Sequence, residues 1–465
     1  MKLFAQLFTA SLEGAGPEIR FVFELLAADA ARAASDAEGY RAEALAKQFR
    51  LSQKRVSDAL GGLVRLGLMI RERSVPEGKG RPAITYALSP RVMQTLKVSG
   101  SVYGIHTELL ECLFSGAPIE MEVPGLQSRP AKQRMTVTKA GRPAPPGASK
   151  QLSVCNRLLF ATLLARADHC GVVSGVGGPE LRQLTGFDAT SLKHRLRRLM
   201  DLGLIRCYVP GVSSSIFSKA RVSSTYFLNL NLSFGCPSHC TVMVHLAWDE
   251  EAKRFTHTDN LRDDVVAYLS GRSDWELSTP LCVIRFLVGQ RSRVYPVIQI
   301  MLYRYASLLL SQHWSAFLPG AYLWDDELYA MIRRDFRQPV PKVGGDNTTA
   351  EPGSREDEWV EIIEHFYRLT HEIAHEFRSR FGQAGSLSLD GVRMSVLPIA
   401  DDLGYKAITL VVGLSSIYAQ EFVWLEEERP TVVKLRLEKT ESEVCLQNRY
   451  DFGLLRAPKR RAGKR

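Results

Sequence analysis

The stretch that decides the fold is LSQKRVSDALGGLVRLGLMIRERSVPEGKGRPAITYAL, residues 51–88. Ser52 is a residue type that accepts hydrogen bonds from the free N–H groups of a helix start, so it predicts a helix running to about residue 66. Along that helix Val56, Leu60, Leu63 and Val64 recur at i, i+4, i+7 and i+8, which makes one apolar stripe. Gln53, Lys54, Ser57 and Asp58 point the other way. Gly67 suits the left-handed residue that closes a helix, and residues 68–73 read as a strand returning toward a second strand at 83–88. The turn between them, 76–82, is rich in Gly and Pro and carries Lys79 and Arg81 at its tip. Upstream, 42–49 reads as a short helix ending in the turn Arg50-Leu51, and 19–34 supplies another.

Adding 136 to each number finds the pattern a second time. Leu66-Gly67-Leu68 becomes Leu202-Gly203-Leu204, Leu45 becomes Leu181, and Val56, Leu60 and Leu63 become Leu192, Leu196 and Leu199. Asp188 is the second helix start, 154–170 its preceding helix, and 210–223 its wing between strands at 204–209 and 224–230. Its outward residues Thr190, Lys193, His194, Arg195, Arg197 and Arg198 are strongly basic, a face that either meets a polyanion or is simply solvated.

The segments LSQKRVSDALGGLVRLGLMIRE and GKGRPAITYAL resemble the winged helix-turn-helix domain of bacterial transcription regulators, over 19–90 and again over 153–231. The resemblance implies a protein that binds double-stranded DNA. Its DNA-contacting residues would be Gln53, Lys54, Ser57, Lys79 and Arg81 in the first module and Thr190, Lys193, His194, Arg197 and Arg198 in the second. Asp58 departs from the basic or polar residue such helices carry there, although an acid can accept from cytosine N4. Winged helices also serve as protein-interaction modules, so a structural adaptor is a rival reading.

Bulk properties agree with a soluble multidomain chain. Its 465 residues exceed one ordinary core and suggest roughly two to four domains. The net charge of +10 favours a polyanionic partner, with part of the excess in the basic tail 456–465. No apolar run is long enough for a membrane span, and the amino terminus lacks the features of a secretory signal, which predicts a cytoplasmic address. The eight cysteines lack a repeated spacing and are expected to be reduced. Cys236, His239 and Cys240 cluster, but no second pair follows at zinc-finger spacing, so the cluster reads as a loop.

The expected class is mainly α with small β wings: two winged helix-turn-helix domains, at 1–100 and 151–235, followed by an α+β C-terminal domain. Residues 101–150 read as a linker, extended around Pro143, Pro145 and Pro146. Residues 236–340 read as a helical region with helices at 294–314 and 325–336, then a polar loop at 338–357. An α+β regulatory or assembly domain at 358–455 follows, with a helix at 356–380 and strands at 391–397, 405–414, 417–425 and 431–437. This half is expected to oligomerise, as in a homodimer, to sense an effector or to contact another protein.

The helix at 356–380 contains His371-Glu372-x-x-His375, the spacing that puts two imidazoles on one helix face for zinc with a glutamate to handle a water proton. The surround does not follow the zinc-peptidase pattern: Arg378 and Phe381 occupy the Gly and His positions of the extended motif, and Glu421 is only a guessed third ligand. Trp359, Ile362, Phe366, Leu369, Ile373 and Phe377 give the helix an apolar stripe that accounts for it without metal. The expectation is therefore a cytoplasmic, non-enzymatic DNA-binding transcriptional regulator with no cofactor or metal. Its rivals are a plasmid or mobile-element replication initiator with tandem winged helices, and a DNA-tethered metallopeptidase using His371, Glu372 and His375.

Overall fold

The computed structural model describes residues 3–32, 39–73, 84–99, 105–115, 152–231, 240–246, 257–272, 275–317, 322–339, 352–382, 389–398, 407–413, 422–429, 432–438 and 440–455. The chain is mixed α/β and divides into two compact units, one formed by 1–205 with 228–238, the other by 206–227 with 239–465.

The first unit begins with helices α1 (Phe4–Leu7), α2 (Pro17–Arg32), α3 (Ala42–Gln48) and α4 (Gln53–Arg65), followed by strands β1 (Met69–Arg73) and β2 (Ile84–Leu88). Val56, Ala59, Leu60 and Leu63 of α4 are buried, and α2 and α3 both pack on this helix. Gly67, at φ 69°, ends α4: its N–H donates to the Val64 carbonyl and that of Leu68 to the Leu63 carbonyl. Strands β1 and β2 pair antiparallel with Met69 opposite Leu88. Helices α5 (Pro90–Ser99) and α6 (Thr107–Ser115) follow.

The second repeat comprises α7 (Val154–Leu164), β3 (Val172–Val173), α8 (Gly178–Thr185), α9 (Ala189–Asp201), β4 (Ile205–Val209), β5 (Val212–Ser213), β6 (Arg221–Val222) and β7 (Thr225–Leu228). Both α4 and α9, and both β1 and β4, superpose in number at an offset of 136. Gly203, at φ 70°, closes α9 with the bonds that Gly67 makes, to Met200 and Leu199. Strand order β3-β7-β4 makes a three-stranded sheet, and β5 pairs with β6.

The expected linker needs correction at one place. Residues 107–115 are helix α6, with Leu109, Leu110, Leu113 and Phe114 buried, and α6 packs on α7. The proline-rich part, 123–150, lies outside the described residues. Cys112 on α6 is disulfide-bonded, against the expectation of reduced thiols throughout, whereas Cys155, Cys170, Cys207, Cys240, Cys282 and Cys445 are not in disulfides.

The second unit is built on a five-stranded mixed sheet. Its strands are β8 (Cys240–Leu246), β9 (Met394–Leu397), β10 (Ala407–Gly413), β11 (Phe422–Arg429) and β12 (Val432–Glu438), in the order β12-β11-β8-β10-β9. Strand β8 lies centrally, antiparallel to β10 and parallel to β11. Sequence analysis left it inside a helical region, so the sheet is one strand larger than expected and strands are not confined to wings and a small terminal domain. The helices are α10 (His257–Ser270), α11 (Leu281–Leu287), α12 (Val294–His313), α13 (Asp326–Asp335), α14 (Pro352–Gly382) and α15 (Leu446–Asp451). Those expected at 294–314, 325–336 and 356–380 are present; α14 starts at Pro352, so the polar loop ends earlier than expected.

Helix α12 seals the edge strand β9: the Ser311 and Ser307 hydroxyls each accept at 2.9 Å from the N–H groups of Met394 and Val396. The buried Arg206 guanidinium meets the Glu441 carboxylate in two bonds of 2.8 and 2.6 Å. Among the described residues no helix is long and apolar enough to cross a membrane.

Candidate nucleic-acid interface

Helix α9 is fixed at its start by Asp188, whose carboxylate accepts from the Thr190 and Ser191 N–H groups at 2.9 and 2.8 Å and from the Ser191 hydroxyl at 2.6 Å. Those bonds, the hydroxyl's foremost, hold the Asp188 carboxyl below its usual range. Leu192 and Leu199 bury the inner face. The outer face is then dictated by helical spacing: Thr190, Lys193, His194, Arg197 and Arg198 recur at i, i+3, i+4, i+7 and i+8 and are all exposed. They form one continuous basic stripe.

Arg195 does not belong to that stripe. Its guanidinium turns inward and donates to the Ser153 hydroxyl at 3.2 Å and the Asn156 side-chain carbonyl at 3.3 Å, which fastens α9 to α7. Sequence analysis counted it with the outward cations because it cannot distinguish an arginine that faces water from one that ties two helices.

Helix α4 presents Gln53, Lys54, Ser57 and Asp58, all exposed. Ser52 stands at its N-cap position in extended backbone but makes no side-chain capping bond, unlike Asp188. Arg55 is exposed and lies 3.6 Å from Glu18 of α2, a surface pair of little energetic weight. Arg71 and Arg73 are exposed on β1. Sequence analysis missed them, although Met-Ile-Arg-Glu-Arg is visible as a charged strand. Lys79 and Arg81 lie outside the described residues.

The segment expected as the second wing, 210–223, carries buried residues. Ile216 and Phe217 are 4% and 1% exposed and belong to the apolar core of the second unit. Phe217 stacks obliquely on Phe336 at 5.8 Å, the Ser218 N–H donates to the Asp335 carbonyl at 3.0 Å, and the Arg337 N–H donates to the Ile216 carbonyl at 2.7 Å. The Ser214 hydroxyl donates to Gln290 at 2.6 Å. This hairpin is held at four places within the second unit.

The His371-Glu372-x-x-His375 motif has another occupation. His371 is buried, and its Nε2 accepts the Leu323 N–H at 3.1 Å, which uses the lone pair a metal would need. Phe317 and Tyr322 flank the ring at 5.2 and 4.8 Å, and burial lowers its pKa. Glu372 is exposed and lies 3.9 Å from Arg368. Trp359, Ile362, Phe366, Leu369, Ile373 and Phe377 are all buried, as the stripe requires. Among the described residues no group of three His, Cys, Asp or Glu side chains is placed to hold a metal ion. Cys240 is a buried residue at the start of β8, while Cys236, His239 and Glu421 lie outside the described residues.

Comparison of the chain with protein-family models, with curated proteins and with solved structures gives no match.

Proposed function

We propose that the chain is a sequence-specific regulator that binds duplex DNA through two winged helix-turn-helix modules, with α4 and α9 as the recognition helices. The observation that carries this reading is the α9 stripe, in which Lys193, Arg197 and Arg198 stand exposed on one face of a capped helix. Two supports stand beside it. The order of α2, α3, α4, β1 and β2 matches the three helices and hairpin of a winged helix, and the α8–α9 pair repeats its central part at fixed offset. Phosphate contacts from the stripe would position the protein, and α4 would contribute base contacts in the major groove. The same interface would serve a replication initiator; mapping bound DNA genome-wide separates the two, since promoters mark the regulator and an origin-like array marks the initiator.

The test is a titration of random-sequence duplex DNA at several salt concentrations. Binding should weaken with a logarithmic slope of about 0.9 per phosphate neutralised, and Lys193→Ala with Arg197→Ala should reduce that slope by up to about two. Salt-independent binding, or a slope unchanged in the double variant, would refute the role given to α9.

A further inference from the structure

Two buried arginines in the first unit have no place in the proposed DNA contacts. Arg20 on α2 and Arg157 on α7 are each 4% exposed, and among the described residues neither pairs with a carboxylate. A guanidinium taken from water without a counter-charge is expensive, and burial lowers the pKa of both, that of Arg157 to about 10. What compensates them is backbone. Arg157 donates from Nε to the Leu113 carbonyl at 2.8 Å, from a terminal nitrogen to the Phe114 carbonyl, and from the other toward the Phe49 carbonyl at 3.5 Å. Its guanidinium also lies 4.8 Å from the centre of the Phe21 ring. Every one of these partners precedes the second repeat in the chain.

Arg20 makes the reverse crossing. It donates to the carbonyls of Ala15 at 2.9 Å and Leu12 at 2.6 Å, and reaches the Leu184 carbonyl of the second repeat at 3.4 Å. Phe49 is the residue that ends α3, Leu184 lies in the last turn of α8, and Leu113 and Phe114 lie in the last turn of α6. These are carbonyls that a helix cannot satisfy itself, at the negative end of its dipole. The two longer contacts are weak as directional bonds and act as charge against dipole. In the numbering of the first repeat they run from 20 to 48 and from 21 to 49, the same crossing one residue out of step. Between them Gly186, at φ 73°, brings the α8–α9 turn so close that a Cβ there would stand 2.4 Å from the Ala15 carbonyl.

We infer that Arg20 and Arg157 are positioning residues that brace the two repeats into one rigid pair, so the protein accepts DNA only when its two half-sites lie at one fixed spacing. The inference rests on the proposed DNA binding and adds the rule by which paired sites are chosen. Letting the repeats part would strip Arg157 of its three carbonyls and of the Phe21 ring, and Arg20 of its one crossing contact, to Leu184, which is why the pair holds one geometry.

Two measurements test it on the full chain. In the first, duplexes selected by the wild-type protein from a random pool receive stepwise insertions between the half-sites, from one base pair to a full helical turn of about 10 base pairs. The expected result is a loss of about tenfold or more that does not recover at the full turn, since each base pair moves a half-site by about 3.4 Å. Recovery at the full turn would mean a tether and would overturn the brace while leaving DNA binding intact. In the second, spin labels on Arg65 and Asp201, exposed equivalent residues at the ends of α4 and α9, should give one narrow distance distribution without DNA. It should broaden in Arg157→Met, and the same variant should tolerate altered spacing while selecting the same half-sites. A broad distribution in the wild-type protein would overturn the brace whether or not Arg157→Met folds. A narrow distribution in a protein that binds no duplex would instead overturn the DNA-binding reading, and the spacing rule with it.

Discussion

Helices α4 and α9 have the same length and the same closing turn and bury the matching pairs Val56/Leu192 and Leu63/Leu199, yet present different chemistry to solvent. At the five positions equivalent to the exposed face of α9, which carries Thr190, Lys193, His194, Arg197 and Arg198, α4 carries Lys54, Ser57, Asp58, Gly61 and Gly62. The cation and anion of α4 offset each other, whereas the three cations of α9 add. Gly62 is not even available to a ligand, because Ile19 of α2 lies over it. One scaffold thus appears twice with a changed outer face, and on the proposed reading α9 would grip phosphates while α4 would discriminate bases.

The strongest challenge to the equivalence of the scaffolds comes from their cores. Leu63 and Leu199 are both fully buried at matching positions, so each Leu→Ala substitution should cost about 2–5 kcal/mol in chemical denaturation. A Leu199→Ala protein as stable as wild type would break the equivalence.

A smaller and asymmetric effect is expected at the turns. Arg50 and Gly186 occupy matching left-handed positions, at φ 53° and 73°. Gly186→Ala should lose about 1–3 kcal/mol or more, from backbone strain and the approach to Ala15. Arg50→Gly should be nearly neutral, since relief of about 1 kcal/mol of strain is offset by glycine's greater unfolded freedom. Thermal unfolding of the two variants decides it, and equal losses would show that the turns bear the same load.

Smaller again is the difference between helix starts. Asp188→Ala should lower the melting temperature more than Ser52→Ala, because only Asp188 makes the capping bonds. The sign with pH is fixed: the native carboxyl is held low, so its contribution is present above the ordinary carboxyl range and disappears as acid protonates it. Wild type and Asp188→Ala should therefore converge in melting temperature on acidification. A gap that widens in acid would contradict the capping role.

Local signals made the repeat readable in advance. Stripe, cap and closing glycine all lie within one helix and its turn, which is why the offset of 136 found from letters reappears in the bounds of α9 and β4. What sequence analysis missed depends on partners distant along the chain. Phe217 sits among serines that resemble a loop, and its burial becomes visible only with Phe336 in place. Strand β8 is a short apolar run, equally good as a helix segment until β10 and β11 flank it. Arg20 and Arg157 bind carbonyls, which every residue carries, so no residue type marks their partners. His371 is the converse case: a motif legible at once, whose Nε2 accepts from the backbone N–H of Leu323.

The central claim is that α9 holds DNA and α4 reads it. The most direct measurement is a selection of preferred duplexes from a random pool at one salt concentration, with wild type, Gln53→Ala/Lys54→Ala and Lys193→Ala/Arg197→Ala in parallel. The α4 variant should keep most of its affinity but lose discrimination in one half-site, by about 1–3 kcal/mol for each good contact removed. The α9 variant should select the wild-type motif with uniformly weaker binding. If all three proteins select the same motif with the same strength, neither helix touches DNA as described and the division of labour is contradicted.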